Sequence, residues 1–153
     1  DFTGELAVCL RRGEPLELHQ NGAIAAVAVI YPPGAYPLPW PAELQVTLTS
    51  ILGHTRYDLR AWQEWLDEVG KHHPPAPHYY LEYLGVEPAL QGQGLGSQLL
   101  SELIRRADAV GVGCHLETAT PRNLPLYQRF GFQLTAQQDI IGLPAWFLWR
   151  PAR

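Results

Sequence analysis

The stretch "LEYLGVEPALQGQGLGSQLL", Leu81 to Leu100, joins an apolar run to an amphipathic one through Gly92, Gly94 and Gly96. Upstream, "YYLEYLGV" is rich in aromatic and branched residues and reads as a strand. Downstream, Leu95, Leu99, Leu103 and Ala107 recur at helical spacing, with Gly111 at the helix end. The first N–H groups of a helix lack intrahelical partners, and the helix dipole is positive there. An anion satisfies both, and glycines let the backbone approach it with no intervening Cβ. The segment therefore reads as a cradle for a phosphate or pyrophosphate. A Walker loop would require Gly-Lys-Ser/Thr, and the dinucleotide fingerprint requires G-x-G-x-x-G; neither is present here. A glycine turn that serves packing alone is the plain alternative.

Working outward, "LELHQNGAIAAVAVIY" reads as two strands joined by Asn21-Gly22, a pair that tolerates the positive φ angles of a tight hairpin. "YPPGAYPLPWP" follows, with five prolines in eleven residues, and reads as an extended surface loop. From Ala42 to Val69 the period is helical. Leu44, Leu48, Ile51 and Leu52 share one face, as do Leu59, Trp62, Leu66 and Val69, which predicts two helices, the second stopped by Gly70. "CHLETAT" reads as a strand, "PRNLPLYQRFGF" as a loop, a short helix and a glycine stop, and "FQLTA" and "AWFLWR" as two closing strands. No repeat or linker interrupts residues 1–153, which predicts one α/β (α+β) domain: a mixed, twisted sheet flanked by helices.

Composition narrows the function classes. Hydrophobic residues make up 46% and charged residues 17% of 153, with a formal charge of -4, which is globular composition. No basic run is present, so no nucleic-acid or anionic-membrane surface is expected. The longest apolar stretch, Ala23 to Tyr31, is too short to span a bilayer. Cys9 and Cys114 form neither a metal spacing nor a disulfide framework, which favours a reducing cytoplasm. His72, His73 and His78 flank a proline loop without the i,i+4 spacing or cysteine partners of a zinc site, so no metal is expected. His54 reads as surface or core, and Trp62 and Trp65 as packing. The aromatic, proline-stiffened "YPPGAYPLPW" is a candidate wall for an apolar substrate, with packing an equal alternative.

"LGVEPALQGQGLGSQLL" resembles the acyl-CoA-binding signature of the GNAT-type N-acetyltransferase superfamily, whose core reads Q/R-x-x-G-x-G/A after a V-x-P strand end. "LETATPRNLPLYQRFGF" is similar to the family's downstream strand, Asn-x-x-x-Tyr turn and Y-x-x-x-G-F helix end, closest to the puromycin N-acetyltransferase-like branch of small-molecule enzymes. The resemblance covers about Tyr79 to Arg150. It implies that the strand ending at Val86 splays from its neighbour, so that Leu84 and Val86 bind the pantetheine arm through main-chain groups. Gln91, Gly92, Gln93, Gly94, Leu95 and Gly96, with Ser97, would hold the pyrophosphate, where the bare residues already ask for an anion. The implied activity is transfer of the acetyl group of acetyl-CoA to a primary amine of a small molecule by direct attack. A catalytically silent acyl-CoA-binding or sensing module is the rival.

Transfer needs the ammonium to lose a proton and the thiolate to gain one, and a positioned acid or base contributes ~10²–10⁴-fold. The resemblance places Tyr127 beside the sulfur as general acid; the alternative is packing with Phe130 and Phe132. Asn123 would hold the pantetheine amide, or merely cap the short helix. Strand alternation puts Tyr80, Glu82 and Leu84 on one face and Tyr79, Leu81 and Tyr83 on the other. Glu82 and Glu117 are the candidate bases, beside a structural role for either and a water chain with no single base. Only "DFTGELAVCLRRGEP" precedes the hairpin, and the chain begins at Asp1 with no methionine. The family's first strand and helix have no room there, and a longer natural chain is expected. A monomer or a homodimer both fit.

Overall fold

Asn21 and Gly22 take φ of 53° and 78°, the two left-handed conformations that a two-residue hairpin turn demands. They join β1 (Glu14–Gln20) to β2 (Ala23–Tyr31) in the computed structural model, which describes residues 13–36 and 59–153. The chain continues through α1 (Leu59–Lys71), β3 (His78–Val86), α2 (Leu95–Ala109), β4 (Gly113–Thr118), α3 (Leu124–Arg129), β5 (Gln133–Ile140) and β6 (Leu143–Arg150). The helix expected from Leu44, Leu48, Ile51 and Leu52, the loop beyond Tyr36, Cys9, His54 and the side chains of Leu59 and Trp62 lie outside the described residues.

The six strands form one sheet in the order β1-β2-β3-β4-β6-β5. Every neighbouring pair is antiparallel except β3 and β4, which run parallel and are connected through α2. The last two strands run longer than "FQLTA" and "AWFLWR" suggest. Polar "QQD" extends β5 along an exposed edge, and Ile141-Gly142 (φ 50° and 80°) makes a second tight turn.

One face of the sheet is apolar. Leu95, Leu99, Leu100, Leu103 and Ala107 of α2 are buried against it, together with Leu81, Leu116 and Leu148 from the strands. At about 1.5–3 kcal/mol for each large apolar side chain, this stripe is what holds α2 in place. On the opposite face, Val69 of α1 packs with Ile140, Ala145 and Phe147, and Trp65 leans on the same cluster.

Two expectations need correction. Helix α1 runs through Gly70 to Lys71. It ends in a tightened turn, His72 N–H to the Val69 carbonyl (3.1 Å) and His73 N–H to that of Gly70 (3.3 Å). Pro74 supplies the stop, because the residue before a proline avoids helical ψ. Side chains also do not alternate cleanly along β3. Val29 faces Tyr83 while Ile30 faces Leu81, so Glu82 is the extra residue of a β-bulge. Leu84 and Val86 therefore join Leu81 on the apolar face, and Tyr83 joins Tyr80 on the other.

Two tight contacts fasten β6, one to β4 and one to α2. A Cβ on Gly113 would stand 2.3 Å from Trp149 Cη2 and 2.7 Å from the Arg150 carbonyl oxygen. Gly113→Ala should destabilise the fold by about 1–3 kcal/mol in a denaturant titration, the usual cost of overpacking. Arg150, 3% exposed, grips Asp108 through its two terminal guanidinium nitrogens at 2.8 and 3.0 Å. That hydrogen bonding holds the Asp108 carboxyl below its usual range. A depressed folded value means the stabilisation is full above the unfolded value, about 3.9, and disappears as pH falls through the folded one. Asp108→Asn should lower stability near neutrality and flatten the acid limb of a stability-against-pH curve.

Candidate active site

β3 and β4 pair only from His78/Gly113 to Leu81/Leu116, and β3 then runs on to Val86. Among the described residues no strand pairs with Leu84–Val86 on that side. The expected splay of the strand ending at Val86 is therefore present, and the bulge at Glu82 sits where the ladder stops.

The glycine turn lies at the end of that opening. Glu87 N–H donates to the Ala25 carbonyl at 2.9 Å, and Pro88–Leu90 forms a single 3₁₀ turn. Gln91 turns its side-chain amide back to the Val86 carbonyl at 3.3 Å, tying the turn to the strand end, while its own N–H closes on the Pro88 carbonyl at 3.4 Å. Gly92 and Gly94 have φ of 78° and 82°, where an L-residue is strained. Gly94 occupies the N-cap of α2 and can offer no side-chain cap, so the first amides of the helix face outward unsatisfied by any side chain. Leu95 is 5% exposed, its side chain in the core, so it presents only its amide to the turn. A Cβ on Gly96 would lie 3.7 Å from Val86 and 3.9 Å from Leu84, which brings the helix start directly against the open part of β3. Gln93 and Ser97 flank the same turn, exposed and half-buried.

Tyr127 comes from α3, 6% exposed, within the apolar cluster and 6.1 Å from the Phe132 ring, centre to centre. Burial, then the charge of Glu117, raises its phenol above the ordinary value, which keeps the proton on oxygen. Tyr127 thus packs against Phe132 and keeps its proton. Asn123 stands at the N-cap of α3, yet its side chain makes no capping hydrogen bond.

Glu82 and Glu117 come together on the other face, with partners the sequence did not suggest. Tyr80 donates its hydroxyl to Glu117 Oε1 at 2.5 Å. Burial pushes the Glu117 carboxyl up to about 7; the Tyr80 hydrogen bond opposes this, and the charge of Glu82 adds to it. Burial also drives Tyr80 well above its normal value. Around this pair stand Tyr36, stacked on His73 at 4.3 Å, and His115, 4.6 Å from the His73 ring. Burial, with the neighbouring His78, lowers His73 to about 4; burial, with His73 and His78, lowers His115 to about 3, so both rings are neutral near pH 7. The 3.8 Å approach of His115 Nε2 to Glu117 Oε2 is accordingly no ion pair. His73 Nε2, both His115 nitrogens and Glu117 Oε2 are buried without a hydrogen bond of ordinary geometry among the described residues, a cost of about 1–3 kcal/mol for each group so left. Strand spacing was the available signal: His115 and Glu117 are two apart on β4 and must share a face.

The model of the Acetyltransferase (GNAT) family matches residues 19–132. The chain belongs to the GNAT acetyltransferase family. Among curated relatives, the N-alpha-acetyltransferase RimI of Mycobacterium tuberculosis is 39% identical over 59 residues, 39% of this chain and 37% of its own length. Matched stretches span 27%, 22% and 37% of three such relatives, well under half of each. A solved structure from Corynebacterium glutamicum, described as histone acetyltransferase HPA2 and related acetyltransferase, superposes with a TM-score of 0.64 at 26% identity, covering 99% of this chain and 70% of that one. A GNAT family acetyltransferase from Elizabethkingia anophelis with acetyl-CoA bound superposes at 0.60, covering 96% and 81%. Its identity is 18%, so it speaks for the shared fold. Among the described residues no helix is long and apolar enough to cross a membrane.

Within this GNAT fold the glycine turn is open to direct test. A methyl at Gly94 meets no atom within 4 Å, so the penalty of Gly94→Ala is backbone strain alone, about 1–2 kcal/mol. In a denaturant titration the variant should lose about that much stability. Gly111→Ala, at a comparable φ of 70° two residues beyond the end of α2 and in equally open space, should cost a similar amount.

Proposed function

We propose that the chain transfers the acetyl group of acetyl-CoA to a primary amine of a small molecule by direct attack on the thioester. The observation that carries this reading is the parting of β3 from β4 above an uncapped helix start. An extended arm bearing amides can complete the edge at Leu84 and Val86 as an added strand would, while its diphosphate rests on the amides from Gly92 to Ser97, with Gln91 bracing the turn beneath them. Asn123, with no helix-capping bond to satisfy, is available to the pantetheine amide. The "LETATPRNLPLYQRFGF" pattern supports a place near the puromycin N-acetyltransferase-like branch and a small-molecule acceptor.

Acetyl-CoA supplies an activated acyl group, so the protein need only orient the reactants and move protons. Glu82, on the bulge where the ladder ends, takes the proton of the attacking ammonium. The C–N bond forms as the C–S bond breaks, Tyr127 gives its proton to the departing thiolate, and the second proton leaving the nitrogen as the amide forms restores the Tyr127 phenol. A buried phenol is suited to this, since it stays protonated at neutral pH. Glu117 is held by Tyr80 and faces the histidines, so the base role falls to Glu82.

A chromogenic thiol reagent, added with acetyl-CoA and a panel of small amines, should report release of free coenzyme A. Tight coenzyme A binding without turnover on any amine would favour the silent binding module, and turnover only with peptides bearing a free α-amine would exclude the small-molecule reading. Tyr127→Phe should lower kcat by ~10²-fold or more with coenzyme A affinity retained, and Glu82→Gln should lower kcat by a similar factor. Unchanged turnover in either variant removes that residue from its role.

A further inference from the structure

On the face of the sheet opposite α2, we propose that His73, His115 and Glu117 form a binding site for a divalent transition metal of the zinc class. The site does not rest on the acetyltransferase reading. One donor atom from each of the three residues lies within 4.8 Å of the other two. Strand β4 supplies His115 and Glu117 from one face, with Nε2 and Oε2 3.8 Å apart, and the turn after α1 supplies His73. Zinc–nitrogen and zinc–oxygen distances near 2 Å put tetrahedral ligands roughly 3.3 Å apart, so modest side-chain rotations would close the set.

The hydrogen bonds around these residues prepare them as ligands. His78 donates its Nδ1–H to the Ala76 carbonyl at 2.7 Å. His78 Nε2 then stands as the acceptor across the 3.4 Å contact, which puts the His73 proton on Nδ1. His73 Nε2 is left as a bare lone pair, buried and without a hydrogen bond among the described residues. Glu117 shows the same division. Tyr80 holds Oε1, and Oε2 is buried with no such partner. His115, 0% exposed, has neither ring nitrogen in a hydrogen bond of ordinary geometry, and the Leu148 carbonyl that interacts with the ring can hold one N–H while the other nitrogen serves as ligand. Outer partners that fix a ligand's tautomer and free one oxygen of a carboxylate are the usual surroundings of a metal. His72 takes no part, because its ring stacks on Phe147 at 3.9 Å and its Nε2 meets Gln138 Oε1 at 2.9 Å. Two imidazoles and one carboxylate suit zinc, and leave a fourth tetrahedral position for a small exogenous ligand. The proline loop drew attention to His72, His73 and His78 as a set; the fold keeps one of them as a ligand and recruits the other two from a strand.

Cobalt is the probe. The chelator-treated 153-residue chain, titrated with Co²⁺, should bind one ion and develop the intense visible bands of tetrahedral coordination, which Zn²⁺ should then bleach. His73→Ala and Glu117→Gln should each weaken binding by at least ~100-fold, and Tyr80→Phe by ~10-fold or more. Thermal melting of each variant checks that it is folded, and His73, on a half-buried turn, is the safest to remove. Absence of saturable cobalt bands in the folded parent overturns the proposal, as does parental affinity in either folded ligand variant.

Discussion

β3 and β4 are parallel neighbours that pair over four residues and then separate, and the candidate site is organised around that separation. Parallel ladders normally run the length of both strands, since an edge inside a sheet exposes backbone donors and acceptors. Here the bulge at Glu82 adds one residue to β3 at the point of parting, which bends the strand and increases its twist. It also reverses the facing of everything beyond it. Leu84 and Val86 turn onto the apolar side, where the start of α2 presses against them, while Glu82 and Tyr83 stay adjacent to the tyrosine cluster. A single inserted residue thus joins the glycine turn and the open strand edge into one site.

The two faces of the sheet carry different chemistry, and the gap is where they meet. On one side leucines from α2 and the strands hold the helix in place, and Tyr127 is buried with them. On the other, Tyr31, Tyr36, Tyr80, His73, His115 and Glu117 crowd beneath the end of α1 with rings 4.3–5.9 Å apart. The charge of Glu117 nonetheless adds to the effect of burial in raising Tyr127. Burial in both clusters favours neutral forms: it raises the tyrosines and Glu117 and lowers the histidines. A proton-handling site benefits from such neutrality, and so does a site that offers lone pairs.

Much of the fold was legible in local chemistry. Asn21-Gly22 admits one kind of hairpin, the leucines of α2 repeat at one spacing, and Gly131, with φ of 88°, ends the short helix as "RFGF" suggests. Each signal is complete within about fifteen residues, so no distant contact had to be known. The bulge was not legible, because "YYLEYLGV" alternates plausibly in either register and only pairing with Val29 and Ile30 reveals the extra residue. Gly70 misled for a related reason. A glycine can end a helix, but the proline four residues on decides where the end falls.

By itself the sequence determined the order of elements, the glycine turn against a helix start, and the family signature from Val86 to Phe132, because those depend on short-range spacing and backbone propensity. The tertiary structure alone decided which polar side chains meet. His73 lies 42 positions before His115, and Tyr80 lies 37 before Glu117. No local pattern couples such residues. They are brought together by the parallel pairing of β3 with β4 and by the proline-ended turn after α1, and burial there gives them the properties that neither residue has alone.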